Sequence, residues 1–511
     1  MKQRVRNNAI HLFFQQALGR PDQIAIIDKS GEQISYLELA RQVRESAASL
    51  EMMGISKGDT VMVFLPFSLA QIRTLLALFS LGAKVAMMDE RAEKAYLDDC
   101  AARLECKALI APKGFRRVGN RYPHLKAIPI KPDMVQIGTG LLAPVRPVAL
   151  DDTVLITFSR HPQMGPLALK RTHQMLSAQF LALESEMHPL PGDMTMPNHP
   201  LLLLMNLGAG ATSVIPNYAL KNLGKPQIKK LLRQIKTHQI NRLTVAPAVL
   251  RRLAEHLAQH PEPTQHLEAI FTGGEPIFPA EAGFIRMVFP HTRITINYGN
   301  QEAEPISRVS MKELLLDPLS LEGESLKMGQ AYAQAQVRVV KPAKDFLAPI
   351  NPKRWSQLGS AVGEVGEILV SGQHVITQYH NQEKEAEVKK VKAAGRIWHR
   401  TGDAGFLDRW GNVYLSGRYV VDASGKVDMV PIQAGAPWKS LKEVKTGTFL
   451  QMGEEIWFIA ESKSQTSREK LSKALQQEGL RFDRLAILRE IPRQEDARQR
   501  IDYQALRKML A

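Results

Sequence analysis

The chain is poor in the residues that would make it a secreted, metal-bound or membrane-spanning protein. Its 511 residues include only two cysteines, Cys100 and Cys106. They form no C-x-x-C pair and stand beside no histidine cluster, which excludes a disulfide framework or a zinc site and makes a reducing, cytoplasmic compartment the default. The longest run without a formal charge, residues 194–220, is broken throughout by Pro, Asn and Gly. Such a run is unsuited to a lipid-exposed helix. The N-terminal stretch MKQRVRNNAIHLFFQQAL lacks the apolar core and small-residue cleavage site of a secretory signal and reads as a basic amphipathic helix. Lys and Arg exceed Asp and Glu by 16. This excess favours anions or an acidic membrane surface, where peripheral contact is expected. No basic tail, zinc-finger spacing or RNA-binding signature accompanies it, so nucleic acid is not an expected partner.

What the chain does have is an ordinary globular balance, 44% apolar and 23% charged, and a repeating order of short apolar strands and amphipathic helices. From residue 33 the order is strand (34–36), helix to 53 closed by Gly54, strand (59–65), helix (69–81) closed by Gly82, and strand (84–88). This alternation predicts a parallel, doubly wound α/β sheet. A further strand is expected at 108–111 and another at 152–158, the latter feeding the polar turn SRHPQMGPLALKRTH. Helix 223–239, strand 242–245 and helix 247–260 suggest a second sheet built like the first.

The densest information lies in residues 397–418, IWHRTGDAGFLDRWGNVYLSGR. Two apolar runs flank Asp408-Arg409-Trp410-Gly411-Asn412, a β-hairpin signal. Asp403 precedes the hairpin and Arg418 ends it. A carboxylate accepts hydrogen bonds from a diol and a guanidinium forks onto phosphate, so the pair suits a nucleotide ribose. It equally suits a surface salt bridge beside a turn.

TGD, a hairpin and GR closely resemble the core motif of the adenylate-forming superfamily of acyl-CoA synthetases, luciferases and peptide-synthetase adenylation domains. The resemblance extends in order along residues 10 to 508. Its phrases HP-LLLL-MNLGAGATSVIP, IWHRTGD and IPR…RIDYQALR look most similar to the branch containing the olefin β-lactone synthetases and long-chain acid activators. The resemblance implies a large domain over 1–418, barrel-like from about residue 330, and a small α+β domain over 419–511 turning on a hinge at Arg418. It also implies ATP and Mg2+ as cofactors, CoA as one acceptor, and a fatty or β-hydroxy acid as substrate.

Carried over position by position, it makes Gly273, Gly274 and Glu275 part of an adenine floor. Asn297, Tyr298 and Gly299 follow, with the Tyr298 ring stacked on adenine. Gln301 stands where a threonine touches the α-phosphate, and Glu302 is the Mg2+ ligand. Asp403 grips the ribose and Arg418 contacts the nucleotide. His199 lies where the acyl pocket is lined, or is a packed core residue.

Two departures concern phosphate chemistry. In the loop after residue 158, His161 and Met164 replace glycines and Leu167 replaces the lysine, leaving Ser159, Gly165 and Lys170 to supply donors. Near the C-terminus Arg500 replaces the catalytic lysine, and Arg is not interchangeable with Lys at a tightly positioned phosphate. Two readings therefore stand: an active acid-activating ligase using Lys170, Arg500 and Glu302, or a catalytically impaired relative that binds a nucleotide, an acyl ligand or a partner protein.

Overall fold

The computed structural model describes residues 8–132, 140–161, 165–218, 225–323, 325–342, 350–421, 427–432, 443–444, 446–452, 455–462, 467–477, 482–492 and 503–510. Its smaller α/β sheet runs in the order Cys106–Ile110, Thr60–Val63, Lys84–Met87, Thr153–His161, Gly165–Thr172. All pairings are parallel except the last. Val61, Met62, Val63, Val85, Ala86, Leu155 and Ile156 are all buried. Continuous apolar strands of this kind belong to a sheet covered on both faces. The helix Leu69–Leu81 starts on a Ser68 side-chain cap and ends at Gly82 in the left-handed region, φ +72°. Both ends match the sequence reading.

The larger sheet holds two halves in one hydrogen-bonded order. From Arg293–Asn300 one half continues in parallel through Ala269–Gly273, Arg242–Thr244, Met194–Met196, Thr212–Val214 and Ile24–Ile27. The other half is antiparallel, through Ala303–Ser310, Leu326–Ala331, Asn412–Val421, Arg396–Leu407, Gly366–Ser371 and Gln336–Val340. The strands expected as a barrel-like unit are thus joined to the second sheet edge to edge. The strand predicted at 34–36 is Gln33–Ser35, and it pairs with Ile24–Ile27 at the far edge of this larger sheet, not in the first one. A three-residue strand carries too little pattern to select its sheet.

A third, α+β sheet comprises Thr446–Met452, Glu455–Glu461 and Arg484–Leu488, with the helix Arg468–Gln477 beside it. Arg418 lies inside Asn412–Val421, whose residues 417–421 pair with Val427–Pro431. No helix among the described residues is long and apolar enough to cross a membrane.

The helix His173–Met187 begins at a fully buried histidine whose Nδ1 accepts the Ala9 amide at 3.1 Å. Burial, opposed by Asp152 and aided by Lys57, lowers His173 to about 4. The unfolded chain therefore binds a proton below about pH 6.5 that the folded chain takes up only near 4, and stability falls as pH drops through that window. We expect the melting temperature to decline between pH 6.5 and 4, with a shallower slope in His173→Gln; equal slopes would remove His173 as the cause.

Candidate functional site

The site gathers at the carboxyl ends of Ala269–Gly273 and Arg293–Asn300, where the large sheet changes from parallel to antiparallel. Open α/β sheets place ligands outside these strand ends. The two strands run together so closely that a Cβ on Gly273 would meet the Asn297 carbonyl oxygen at 2.5 Å. Gly274 follows at φ +93°, and Glu275 beyond it is exposed. Asn297 Oδ1 accepts the Tyr332 hydroxyl at 2.7 Å. Gly299 is similarly confined, its notional Cβ 2.9 Å from the Ala303 carbonyl oxygen. Gly273→Ala should destabilise the protein by about 1–3 kcal/mol, the cost of overpacking. Denaturant unfolding checks it; an unaltered unfolding midpoint would show that the strands can part freely.

The 397–418 hairpin is longer than its apolar runs suggest. Asp408 Oδ1 accepts the amides of Trp410 and Asn412 at 2.9 and 2.8 Å, closing the turn. Phe406 and Tyr414 stack across the strands at 4.8 Å. Asp403 and Arg418 become direct cross-strand partners. Asp403 Oδ2 accepts the Tyr298 hydroxyl at 2.7 Å, while Oδ1 meets Arg418 Nη1 at 3.3 Å. The Asp403 amide donates to Thr401 Oγ1, whose hydroxyl donates to the Ile368 carbonyl. Burial first, and then Asp403, push the Tyr298 phenol well above its ordinary range, so it stays protonated and donating. Arg418 is 58% exposed and Asp403 16%. One carboxylate oxygen is therefore fixed by the core, and the other is held only by a solvent-facing side chain.

Glu302 follows a turn made by Asn300, whose Oδ1 accepts the amides of Glu302 and Ala303, both at 2.9 Å. Its carboxylate is almost buried and already engaged. Oε2 accepts the Tyr379 hydroxyl at 2.5 Å and Lys390 Nζ at 2.7 Å, with His399 Nδ1 at 3.5 Å. His399 Nε2 faces Asn300 Nδ2 at 3.3 Å. Burial alone would raise Glu302; the Lys390 ammonium, with the hydrogen bonds from Lys390 and Tyr379, outweighs it and holds Glu302 below its ordinary range. Burial draws Lys390 down to about 8 against the pull of Glu302. Burial and Lys390 also keep His399 neutral.

Within the stretch read as a polar loop, residues 159–161 and 165–171 are paired strands, Ser159 with Leu167 and His161 with Gly165, and Met164 lies outside the described residues. Leu167, at the lysine position, is 1% exposed and packs with Leu169, Ile376 and Tyr379. Ser159 and Lys170 are half-buried. Burial first, then the charges of Lys84 and Lys170, lower His380. Arg171 is buried and ties the two sheets together: Nη1 donates to Thr157 Oγ1 at 2.7 Å, Nη2 to the Gln301 carbonyl at 2.6 Å. Burial lowers Arg171 to about 10 against the opposing Glu304 and Glu302. The Gln301 side chain is exposed.

His199 stands elsewhere, exposed, its Nδ1 accepting the Leu201 amide at the start of Pro200–Ala209. Arg500 lies outside the described residues. Tyr298, Asp403 and Arg418 thus form one hydrogen-bonded array, and Glu302 stands in a second one. Lys390, Tyr379, His399 and Arg171 join them without having been singled out as site residues. The only local signals were a lysine-rich run at 384–392, YHN at 379–381, the His of IWHRTGD and the R of RTH.

The two α/β sheets have the layout of the adenylate-forming ligase fold. Residues 13–163 and 187–380 match the family described as AMP-binding enzyme, and the chain belongs to that family. Among individual proteins it is similar to the olefin β-lactone synthetase of Xanthomonas campestris pv. campestris, 26% identical over 435 residues, covering 78% of this chain and 76% of the relative. It is also similar to 2-succinylbenzoate–CoA ligase of Bacillus velezensis, 25% identical over 429 residues, covering 83% and 80%. O-succinylbenzoate coenzyme A synthetase (MenE) of Bacillus subtilis, solved in complex with ATP and magnesium ion, shares the fold at a TM-score of 0.77 and 17% identity, covering 98% of each chain.

Proposed function

We propose that the chain activates a fatty or β-hydroxy carboxylic acid with ATP. A carboxylate oxygen attacks the α-phosphorus, the bond to the β-phosphate oxygen breaks, and pyrophosphate leaves an acyl-adenylate. The acyl group then passes to CoA or another acceptor, or closes on its own β-hydroxyl. The similarity to olefin β-lactone synthetases supports the last route, since a β-lactone is the internal ester of a β-hydroxy acid.

The observation that carries this reading is the Tyr298–Asp403–Arg418 array. Tyr298 holds one oxygen of Asp403, leaving the other for the ribose hydroxyls once Arg418 turns away. A turned Arg418 and the cationic Lys170 and Arg500 would face the developing phosphate charge, which is where fixed donors lower a phosphoryl-transfer barrier. Gly273, Gly274 and Tyr298 would border adenine. In this reading the lobe after residue 418 moves between the two half-reactions. The protein would work in the cytoplasm, with the basic helix Lys225–Thr237 a candidate for contact with acidic membranes.

The pairing of residues 159–161 with 165–167 favours a second reading. That pairing and the burial of Leu167 leave less free backbone for wrapping a triphosphate than a glycine loop does, as in a relative that binds an adenylate-like ligand without turnover. ATP–pyrophosphate exchange over fatty and β-hydroxy acids, run beside AMP calorimetry, separates the two. Exchange supports the ligase; AMP binding without exchange supports the second reading; neither would overturn both.

A further inference from the structure

We propose that Lys390 fills the cation position of Glu302, so that the nucleotide site of this chain carries a tethered ammonium where the resemblance places a magnesium ligand. The inference rests on the nucleotide reading above for its meaning, but its geometry stands apart from it. Lys390 Nζ lies 2.7 Å from Glu302 Oε2 and the Tyr379 hydroxyl takes a second direction on the same oxygen. Magnesium binds carboxylate oxygen at about 2.0–2.1 Å and demands an octahedral shell of oxygens. An ion at that distance from Oε2 would sit against the ammonium, in a place where Glu302 is only 9% exposed. Like charges so close repel strongly in a poorly hydrated site. Among the described residues no group of three or more His, Cys, Asp and Glu side chains offers an alternative divalent site.

The ammonium is built in. Lys390 begins the strand Lys390–Ala393, and its register places it directly opposite His399. Nζ contacts His399 Nδ1 at 3.0 Å and lies 5.1 Å from the centre of the Tyr379 ring. Tyr379 itself is held beside the hairpin by its bridge to Leu169. The same segment therefore removes the phosphate-loop lysine, replaces it by Leu167 packed on Tyr379, and leaves Tyr379 and Lys390 closed over Glu302. With Lys390 and Tyr379 both on Oε2, that oxygen of Glu302 is closed to a second cation, and the ammonium opposes one at the other. The buried Arg171, anchored on the Gln301 carbonyl, remains as a fixed positive charge beside the turn.

Manganese is the probe. Free Mn2+ measured by electron paramagnetic resonance, with and without AMP, should be the same for the wild-type protein and Glu302→Gln. Lys390→Gln, which keeps a donor but not the charge, should raise Mn2+ affinity at least tenfold, and Glu302→Gln in the same chain should abolish the gain. Wild-type Mn2+ binding that disappears in Glu302→Gln overturns the proposal, as does a folded Lys390→Gln that gains none. If Lys390→Gln does not fold, the comparison of wild type with Glu302→Gln decides. AMP calorimetry in EDTA is read separately: its failure removes the nucleotide reading alone, because the manganese comparison without AMP still reports on the cation at Glu302.

Discussion

Asp403→Asn lowers the affinity for AMP by roughly 10- to 100-fold, the loss expected when a charged acceptor to two hydroxyls becomes a neutral one at about 1.5–3 kcal/mol in all. The substitution is nearly isosteric. The carbonyl oxygen of the introduced amide can still accept the Tyr298 hydroxyl, and the backbone is pinned independently through Thr401 and Ile368. The hairpin should therefore survive, and a circular dichroism spectrum like that of the wild type would show it. Tyr298→Phe isolates the other half of the contact: the ring remains, Asp403 loses its fixing donor, and the affinity should fall less than in Asp403→Asn. Isothermal titration with AMP measures both. Undiminished affinity in Asp403→Asn would leave the pair with Arg418 as an ordinary surface ion pair.

Lys390→Met destabilises the fold by roughly 3–5 kcal/mol, because a buried ion pair is strongly destabilised when one partner is removed and the other charge stays behind. Lys390 and Glu302 are 7% and 9% exposed, so water cannot readily hydrate the orphaned carboxylate. Tyr379 would still donate to it, and His399, no longer facing the Lys390 ammonium, is freer to take a proton beside it, which limits the loss. Lys390→Met with Glu302→Gln should recover part of it, since no unpaired charge is then left inside. Urea unfolding followed by tryptophan fluorescence suits the test, because Trp398 adjoins His399 and lies 5.3 Å from Trp355. The sign with pH follows from Glu302. Its folded value is lowered to about 2 from the ordinary 4.5. The stabilisation is complete above about 4.5 and is lost as pH falls towards 2. In Glu302→Gln that acid-range loss should be smaller; an equal loss would mean that the carboxylate is not what holds the cluster.

Residues 69–82 were legible because every signal is local: a Ser cap, an unbroken apolar stretch and a Gly that takes φ +72°. The 397–418 hairpin was legible for the same reason, and the family resemblance was legible because its motifs are contiguous. The path of 159–171 was not. Polar residues and a glycine suggested a loop, but Leu167 and Leu169 find Ile376 and Tyr379, more than two hundred residues away, and that burial favours a strand. Nor could the state of Glu302 be read, since Lys390 is 88 residues along the chain and lies in a run of lysines with no distinguishing pattern.

The amino-acid order by itself determined which short segments become strands, helices and turns, and which residues carry the adenylate-forming motifs. Apolar periodicity and glycine placement act over a few residues and need no partner. Only the tertiary structure decided that Asp403 is anchored by Tyr298, that Arg171 joins the two sheets at Gln301, and that Lys390 neutralises Glu302. A charge acquires its role from what is packed within a few ångströms of it, and in this fold those neighbours come from distant strands.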